Sequence, residues 1–473
     1  MTVRSRNAGR WLATAITCGV MATGVAATAQ AQTLEQALAQ AYENNPTLAA
    51  QRARLRAVDE QVPQALGRYR PTVQATAGVT RSASTTTGSV ATAAGPAGVE
   101  SRLGATPKSV GVTLSQPLYD PQAAPLVRSA ENAVQAQRAS LLSSEQQVLL
   151  SAASAYLDVV QNQAVVLLSI NNEQVLRRQL EAARDRFRVG EYTRTDVSQS
   201  ESRLAQSVAN RISNEGILQT SRGTYVRYIG TMPGNLKAPK PTFKLPATLD
   251  ETVELARANN PTILSASFQE AAQRENVDVA YGRLLPSVGL SAQASRTWDV
   301  GASSSGGSIT DRQDSGSIRA QVTIPLYSAG QAESQVREAK HTANQYRIQI
   351  DESRRAVAET AISAWQALTT ARASIESFQA QIKAAQIALE GVRQEAQVGS
   401  RTVLDVLNQE QELLNARVSL VRAQRNEMVA AFQLLAAVGQ LTAQQLRLPV
   451  EYYNYDAHYR AVRDKWFGTS IGE

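Results

Sequence analysis

Cysteine, histidine and aromatic side chains are scarce here: 473 residues hold one Cys, two His and 5% Phe, Trp and Tyr. The lone cysteine, Cys18, falls in the first apolar stretch, so the chain after it has no disulfide, no thiol nucleophile and no Cys-bearing metal site. The two histidines, His341 and His458, are far apart in sequence and are expected to be solvated, one on a long helix and one near the C terminus. No enzymatic chemistry, metal or cofactor is therefore expected. Beyond residue 31 no segment approaches the ~20 consecutive apolar residues of a membrane-spanning helix. That leaves strands as the one route by which this chain could cross a bilayer.

The first residues carry Arg4, Arg6 and Arg10, then a mainly apolar run from Trp11 to Ala27, then Ala29-Gln30-Ala31. A basic region, an apolar region and an A-x-A site read as a secretory signal peptide over residues 1–31, in preference to a retained anchor, for which the run is short and interrupted by Thr and Gly. Cys18 lies inside it, after Ile16-Thr17, a setting that does not suit lipid attachment. Removing the three leader arginines from a formal charge of +7 leaves +4, too small and too scattered to suggest nucleic acid as a partner.

What the chain has in abundance is helix-forming sequence, written twice. Thr33-Leu34-Glu35 with Asn44-Asn45-Pro46 returns as Thr248-Leu249-Asp250 with Asn259-Asn260-Pro261, and Val189-Gly190 with Asp196 returns as Val398-Gly399 with Asp405. The expected organisation is a first repeat over 32–247, a second over 248–445 and a polar tail over 446–473. Each repeat opens with two helices, within 33–68 and 249–284, in which Asn before Pro suits an N-cap and Pro the first helical position. Each then contains a rod rich in Ala, Gln, Arg, Glu, Leu and Val, over 121–187 and 328–397, roughly 100 Å long at 1.5 Å per residue. The rods turn at 188–195 and 398–402, with glycine at the stop, and return as helices over 195–229 and 403–438. Residues 231–247 link the repeats.

Between helices the apolar period changes to two. Strands are expected at 71–83, 108–118, 286–298 and 316–325, with Val73, Ala75, Ala77 and Val79, or Val288, Leu290, Ala292 and Ala294, on one face and Ser, Thr, Gln or Gly on the other. Pro71, Pro117, Pro286 and Pro325 mark strand–helix junctions, and the segments from Ala83 to Pro107 and from Asp299 to Ser315 read as exposed loops. Alternation alone fits either a water-soluble sheet with one dry face or a membrane barrel. In the second case four strands are too few, since spanning barrels start at about eight, and several chains have to share one wall.

These features, with Gln116-Pro-Leu-Tyr119, Ile324-Pro-Leu-Tyr327 and the stretch Val398-Gly-Ser-Arg-Thr-Val-Leu-Asp-Val-Leu407, resemble the TolC family of outer-membrane efflux and secretion ducts over nearly the whole chain. The resemblance implies a mainly α fold with a membrane β-barrel portion: a homotrimer whose twelve shared strands cross the outer membrane of a Gram-negative bacterium. Long helical hairpins extend that barrel into the periplasm. It implies a passive exit duct for efflux or type I secretion, partnered by a periplasmic adaptor and an inner-membrane transporter, either a proton-driven pump or an ABC exporter. A trimeric coiled-coil tether or adhesin without conduction is the alternative.

The resemblance also places a gate at the hairpin tips. Arg401 is similar to the family's gate arginine, Thr195 and Asp196 to its hydrogen-bonding partners, and Asp405 to a carboxylate ringing the mouth. Asn408 and Ala396 depart from the family pattern, standing where a second aspartate ring and a gate tyrosine are expected, with Tyr192 as a substitute for the tyrosine. The same residues admit a plainer role: Thr193 with Asp196 and Thr402 with Asp405 fit capping boxes.

Overall fold

The computed structural model describes residues 32–239, 244–302 and 309–471; the expected leader, 1–31, lies outside them, as does part of the linker. In chain order the first repeat contains α1 (Leu34–Asn44), α2 (Pro46–Asp59), α3 (Gln61–Leu66), β1 (Thr72–Val79), β2 (Ser82–Thr92), β3 (Gly95–Ala105), β4 (Lys108–Tyr119), α4 (Ala123–Arg188) and α5 (Arg194–Ile229). The second contains α6 (Leu249–Asn259), α7 (Pro261–Gly282), β5 (Ser287–Ala302), β6 (Ile309–Thr323), α8 (Gln331–Gln397) and α9 (Val403–Ala437), and α10 (Tyr455–Arg463) follows.

The Asn-Pro breaks do two jobs at once. The side-chain oxygen of Asn45 accepts from the Thr47 N–H at 2.9 Å, capping α2 above Pro46, while its amide nitrogen donates to the Tyr228 carbonyl at 3.0 Å. Asn260 repeats this, accepting from Thr262 at 2.9 Å and donating to the Ala437 carbonyl at 2.9 Å. Each cap therefore also ties the end of a return helix, satisfying a carbonyl that the helix itself leaves open.

The rods α4 and α8 are 66 and 67 residues long. Pro125 lies in the first turn of α4, where the missing N–H would have no intrahelical partner, so the rod runs on unbroken. Rod α4 packs along α5, α7 and α9, and α7 also packs along α8, which pairs with α9. Leu149, Ala153 and Tyr156 of α4 are fully buried against Tyr225 and Ile229 of α5 and Phe432 of α9, joined by Leu38 and Leu48 from the short helices. Each such large side chain contributes on the order of 1.5–3 kcal/mol on burial, and the alanines between them let helices approach closely.

Strands β1, β4, β5 and β6 form one antiparallel sheet in the order β1-β4-β5-β6. Register places Val73, Ala75 and Ala77 opposite Leu114, Val112 and Val110, then Ala292, Ala294 and Arg296, then Ile318, Gly316 and Asp314, so one face collects the apolar residues, with the Arg296–Asp314 ion pair towards its far end. Among the described residues no helix covers that face: Val73 is 69% and Ile318 80% exposed. The opposite face carries Thr, Ser, Gln and Gly with Arg319.

Several expectations need correcting. The loop from Ala83 to Pro107 is largely the hairpin β2–β3, paired from Ser82↔Ala105 to Thr92↔Gly95; Pro107 interrupts what is otherwise one long hairpin with β1 and β4, and Thr80 donates to its carbonyl at 3.0 Å. Strands β5 and β6 run well into the segment from Asp299 to Ser315, so the described strands number six. Pro117 is not at a junction. It sits inside β4 at a register shift, paired with Gly289, a place where a missing N–H is tolerated. The second opening helix does not run unbroken to residue 68: Pro63 ends α2 near Glu60 because its ring crowds the preceding turn, and α3 starts afresh. The polar tail is ordered onto the helices through α10, and His458 is not solvated: its Nδ1 lies 3.0 Å from buried Asp59.

Candidate functional site at the hairpin tips

Both rods stop by the same local device. Gly190 and Gly399 adopt φ of +82° and +81°, a left-handed turn that costs glycine little. Gly190 N–H then donates to Phe187 at 3.0 Å and Glu191 to Arg186 at 2.9 Å, while Gly399 donates to Ala396 at 3.2 Å and Ser400 to Glu395 at 2.9 Å.

The return helices open on matching capping boxes. Thr193 N–H and hydroxyl donate to Asp196 Oδ2 at 2.9 and 2.7 Å, and the Asp196 N–H donates back to the Thr193 hydroxyl at 3.3 Å. Thr402 and Asp405 reproduce this at 3.0, 2.9 and 3.3 Å. The two donors hold the Asp405 carboxyl below the usual carboxylate range, with Arg401 adding to the effect. A negative charge at this helix start also opposes the positive end of the helix dipole.

Within one chain Arg401 does not meet Asp196. Its Nε donates to Glu395 Oε2 at 2.9 Å, across its own turn, and this pairing raises its already high pKa. Thr195 is exposed, one residue into the first turn of α5. Tyr192 receives Arg186 twice, through a 2.8 Å hydrogen bond to its hydroxyl and a guanidinium 5.2 Å from the ring centre. Ala396 packs beside Leu389, Val406 and Leu413, the apolar zip that closes the second tip.

Asn408 is part of a contact that sequence alone does not disclose. Arg203 of α5 donates to its side-chain oxygen at 2.8 Å, tying the two hairpins together near their tips. Deeper in, Arg393 pairs with Glu410, a carboxylate only 8% exposed. Nothing in the spacing of these arginines sets them apart from others along the helices.

Over residues 26–231 and 252–440 the sequence matches the family described as outer membrane efflux protein. The chain belongs to that family. Outer membrane efflux protein BepC of Brucella suis biovar 1 (strain 1330) is 36% identical over 457 residues, covering 96% of either chain. Outer membrane protein TolC of Escherichia coli (strain K12) is 26% identical over 445 residues, 91% of this chain and 87% of its own. The crystal structure of the Campylobacter jejuni CmeC outer membrane channel shares the fold with a TM-score of 0.74 at 15% identity, over 91% of this chain and 89% of that one. Membership in the efflux protein family makes this chain an outer-membrane exit duct for efflux or secretion, and the paired tips lie at the ends of its helical hairpins farthest along the chain from the strands.

Proposed function

We propose that three copies pool their four-stranded sheets into one twelve-stranded barrel in the outer membrane, with the hairpins forming a periplasmic tube that opens and closes at its tip. The observation that carries this reading is the sheet: one face is apolar and uncovered, and β1 and β6 each have one unpaired edge. Open edges do not persist in lipid, where every backbone N–H and C=O needs a partner. Pairing β6 of one copy with β1 of the next removes them all.

In the closed tube Arg401 leaves Glu395 for Asp196 and Thr195 of a neighbouring tip, and docking of a periplasmic adaptor reverses that exchange. An exposed pair contributes under ~1 kcal/mol, so the exchange is nearly balanced and a partner can tip it. Asp405 from each copy rings the mouth and favours cations. The duct supplies no energy; an inner-membrane pump or exporter delivers cargo through the adaptor.

The test is the purified protein in a planar lipid bilayer. Ion-conducting trimers are expected, and Arg401→Ser raises single-channel conductance. A monomer, or a trimer that does not conduct, overturns the duct; conductance unchanged in Arg401→Ser removes that residue from the gate.

A further inference from the structure

The end of the chain reaches the level at which the helices give way to the sheet. After α10 the chain runs to Arg70, the residue before Pro71 and β1. There Arg70 Nη1 donates to the Lys465 carbonyl at 2.8 Å, and its guanidinium stacks 4.8 Å from the centre of the Trp466 ring. Lys465 Nζ donates to the Ser470 carbonyl at 2.8 Å, folding the last residues into a turn around Phe467.

This turn is apolar outward. Trp466 is 57%, Phe467 86% and Ile471 88% exposed. Among the described residues, no buried apolar cluster takes in any residue after Tyr459. The turn is not alone: Tyr69, Tyr119 and Tyr327 are also exposed at the helical end of the strands, where β4 and β6 hand over to their rods. Trp298 marks the opposite end of the apolar face, opposite Lys108 and Arg312. On β5 and β6 the face is apolar from Val288 to Ala294, and the Arg296–Asp314 ion pair follows before Trp298. From Val288 to Trp298 the strand covers roughly 34 Å at ~3.4 Å per residue, about 25 Å along the membrane normal when tilted as barrel strands are. The apolar stretch thus lies between aromatic side chains at both ends, as in an outer-membrane barrel.

We propose that the C-terminal turn is a membrane-surface anchor: Trp466, Phe467 and Ile471 enter the headgroup–acyl boundary of the periplasmic leaflet, with Arg70 and Lys465 facing phospholipid phosphates. Arg70 is the positioning residue, since it fixes the turn to the start of β1. Tryptophan suits this depth because its ring is apolar and its N–H needs a polar partner. The proposal rests on the barrel reading above, and the test separates the two.

The chain has four tryptophans, one of them, Trp11, in the expected leader. The other three are Trp298, Trp365 and Trp466. Full-length trimers are made with Trp466 or Trp298 as the only tryptophan outside that leader, the others being changed to Phe. They are reconstituted into phosphatidylcholine vesicles carrying bromine high or low on the acyl chain. Trp466 is expected to lose most of its fluorescence to the shallow bromines, less to the deep ones, and little to aqueous iodide. Arg70→Ala shifts this quenching from bromine towards iodide. If Trp298 responds to bromolipid while Trp466 responds to iodide, or to neither quencher, the anchor is wrong and the barrel stands. If neither tryptophan responds to bromolipid, the barrel reading itself fails. Trp466→Phe in the otherwise unaltered chain gives the same readout by difference and guards against misfolding of the multiple variants.

Discussion

His458 Nδ1 lies 3.0 Å from Oδ2 of Asp59, a carboxylate whose side chain is 1% exposed, and this contact fastens α10 to α2. The other carboxyl oxygen of Asp59 has no hydrogen-bond partner, and burial pushes its pKa up despite the histidine. His458→Ala leaves the whole carboxyl uncompensated and is expected to destabilise the docked tail by about 1–3 kcal/mol. Limited proteolysis should cut the tail faster in this variant, and adding Asp59→Asn should restore much of the protection. Equal cutting rates in wild type and His458→Ala would show that α10 is held elsewhere, through Arg138 to Asp456 and Arg463 to Glu131.

Glu145 is 4% exposed and accepts from the Ala443 N–H at 2.8 Å. Desolvation is the main cause that lifts its pKa above the ordinary 4.5, outweighing the hydrogen bond and the nearby Arg52. A carboxyl raised in this way binds its proton more readily folded than unfolded, so stability falls as pH rises from 4.5 through the raised value. Glu145→Gln keeps an acceptor for Ala443 and removes the charge. The variant should melt above wild type at about pH 8, with the gap closing near about pH 4. A gap independent of pH would mean that folding does not shift the proton affinity of Glu145.

Asp405 shifts the other way. Its carboxyl stays charged to below 3.8 because Thr402 donates to it twice. Cation preference that depends on Asp405 should therefore hold steady between about pH 7 and pH 5 and fade only in stronger acid. Asp405→Ala should abolish the preference, read as the reversal potential in a salt gradient, and weaken the start of α9 by about 0.5–2 kcal/mol through loss of the capping box. An unchanged reversal potential would leave Asp405 as a cap alone.

Two glycines with nearly the same backbone should respond very differently to alanine. Gly399, with φ +81°, faces open space, so Gly399→Ala carries only the left-handed penalty of about 1–2 kcal/mol. Gly439, with φ +79°, would place its new Cβ 2.4 Å from the Asn259 carbonyl oxygen. That backbone cannot yield without disturbing the Asn260 cap, so Gly439→Ala should fail to fold under conditions where Gly399→Ala does. The yield of folded protein after extraction in mild detergent is the measurement.

Much of the helical part is legible in the sequence because its signals are local. Asn45-Pro46 and Asn260-Pro261 announce their own caps, and Thr193 with Asp196 needs only three residues' spacing to close a box. The β2–β3 hairpin escapes because Ser, Thr, Ala and Gly fill nearly all of both faces of β2, leaving little apolar alternation to read on that strand. Helix α10 escapes for a related reason: charged and aromatic contacts dock it, with partners such as Asp59 some four hundred residues away. The tips are half legible. Their turns and caps follow from Gly190, Gly399 and the threonines, but which carboxylate Arg401 selects depends on how the turn aims Glu395, and Arg203 finds Asn408 only once two hairpins lie side by side.

The bare outer edges of β1 and β6 also bear on biogenesis. A copy that folds its helices first still presents two templates for strand addition, to its proper neighbours or to any other extended chain. If the sheets are pooled as proposed, insertion awaits the arrival of companions, and yield should rise steeply with the local density of newly exported chains. A lone latecomer becomes a seed for aggregation, and a periplasmic chaperone that masks those margins would speed assembly by preventing premature pairing.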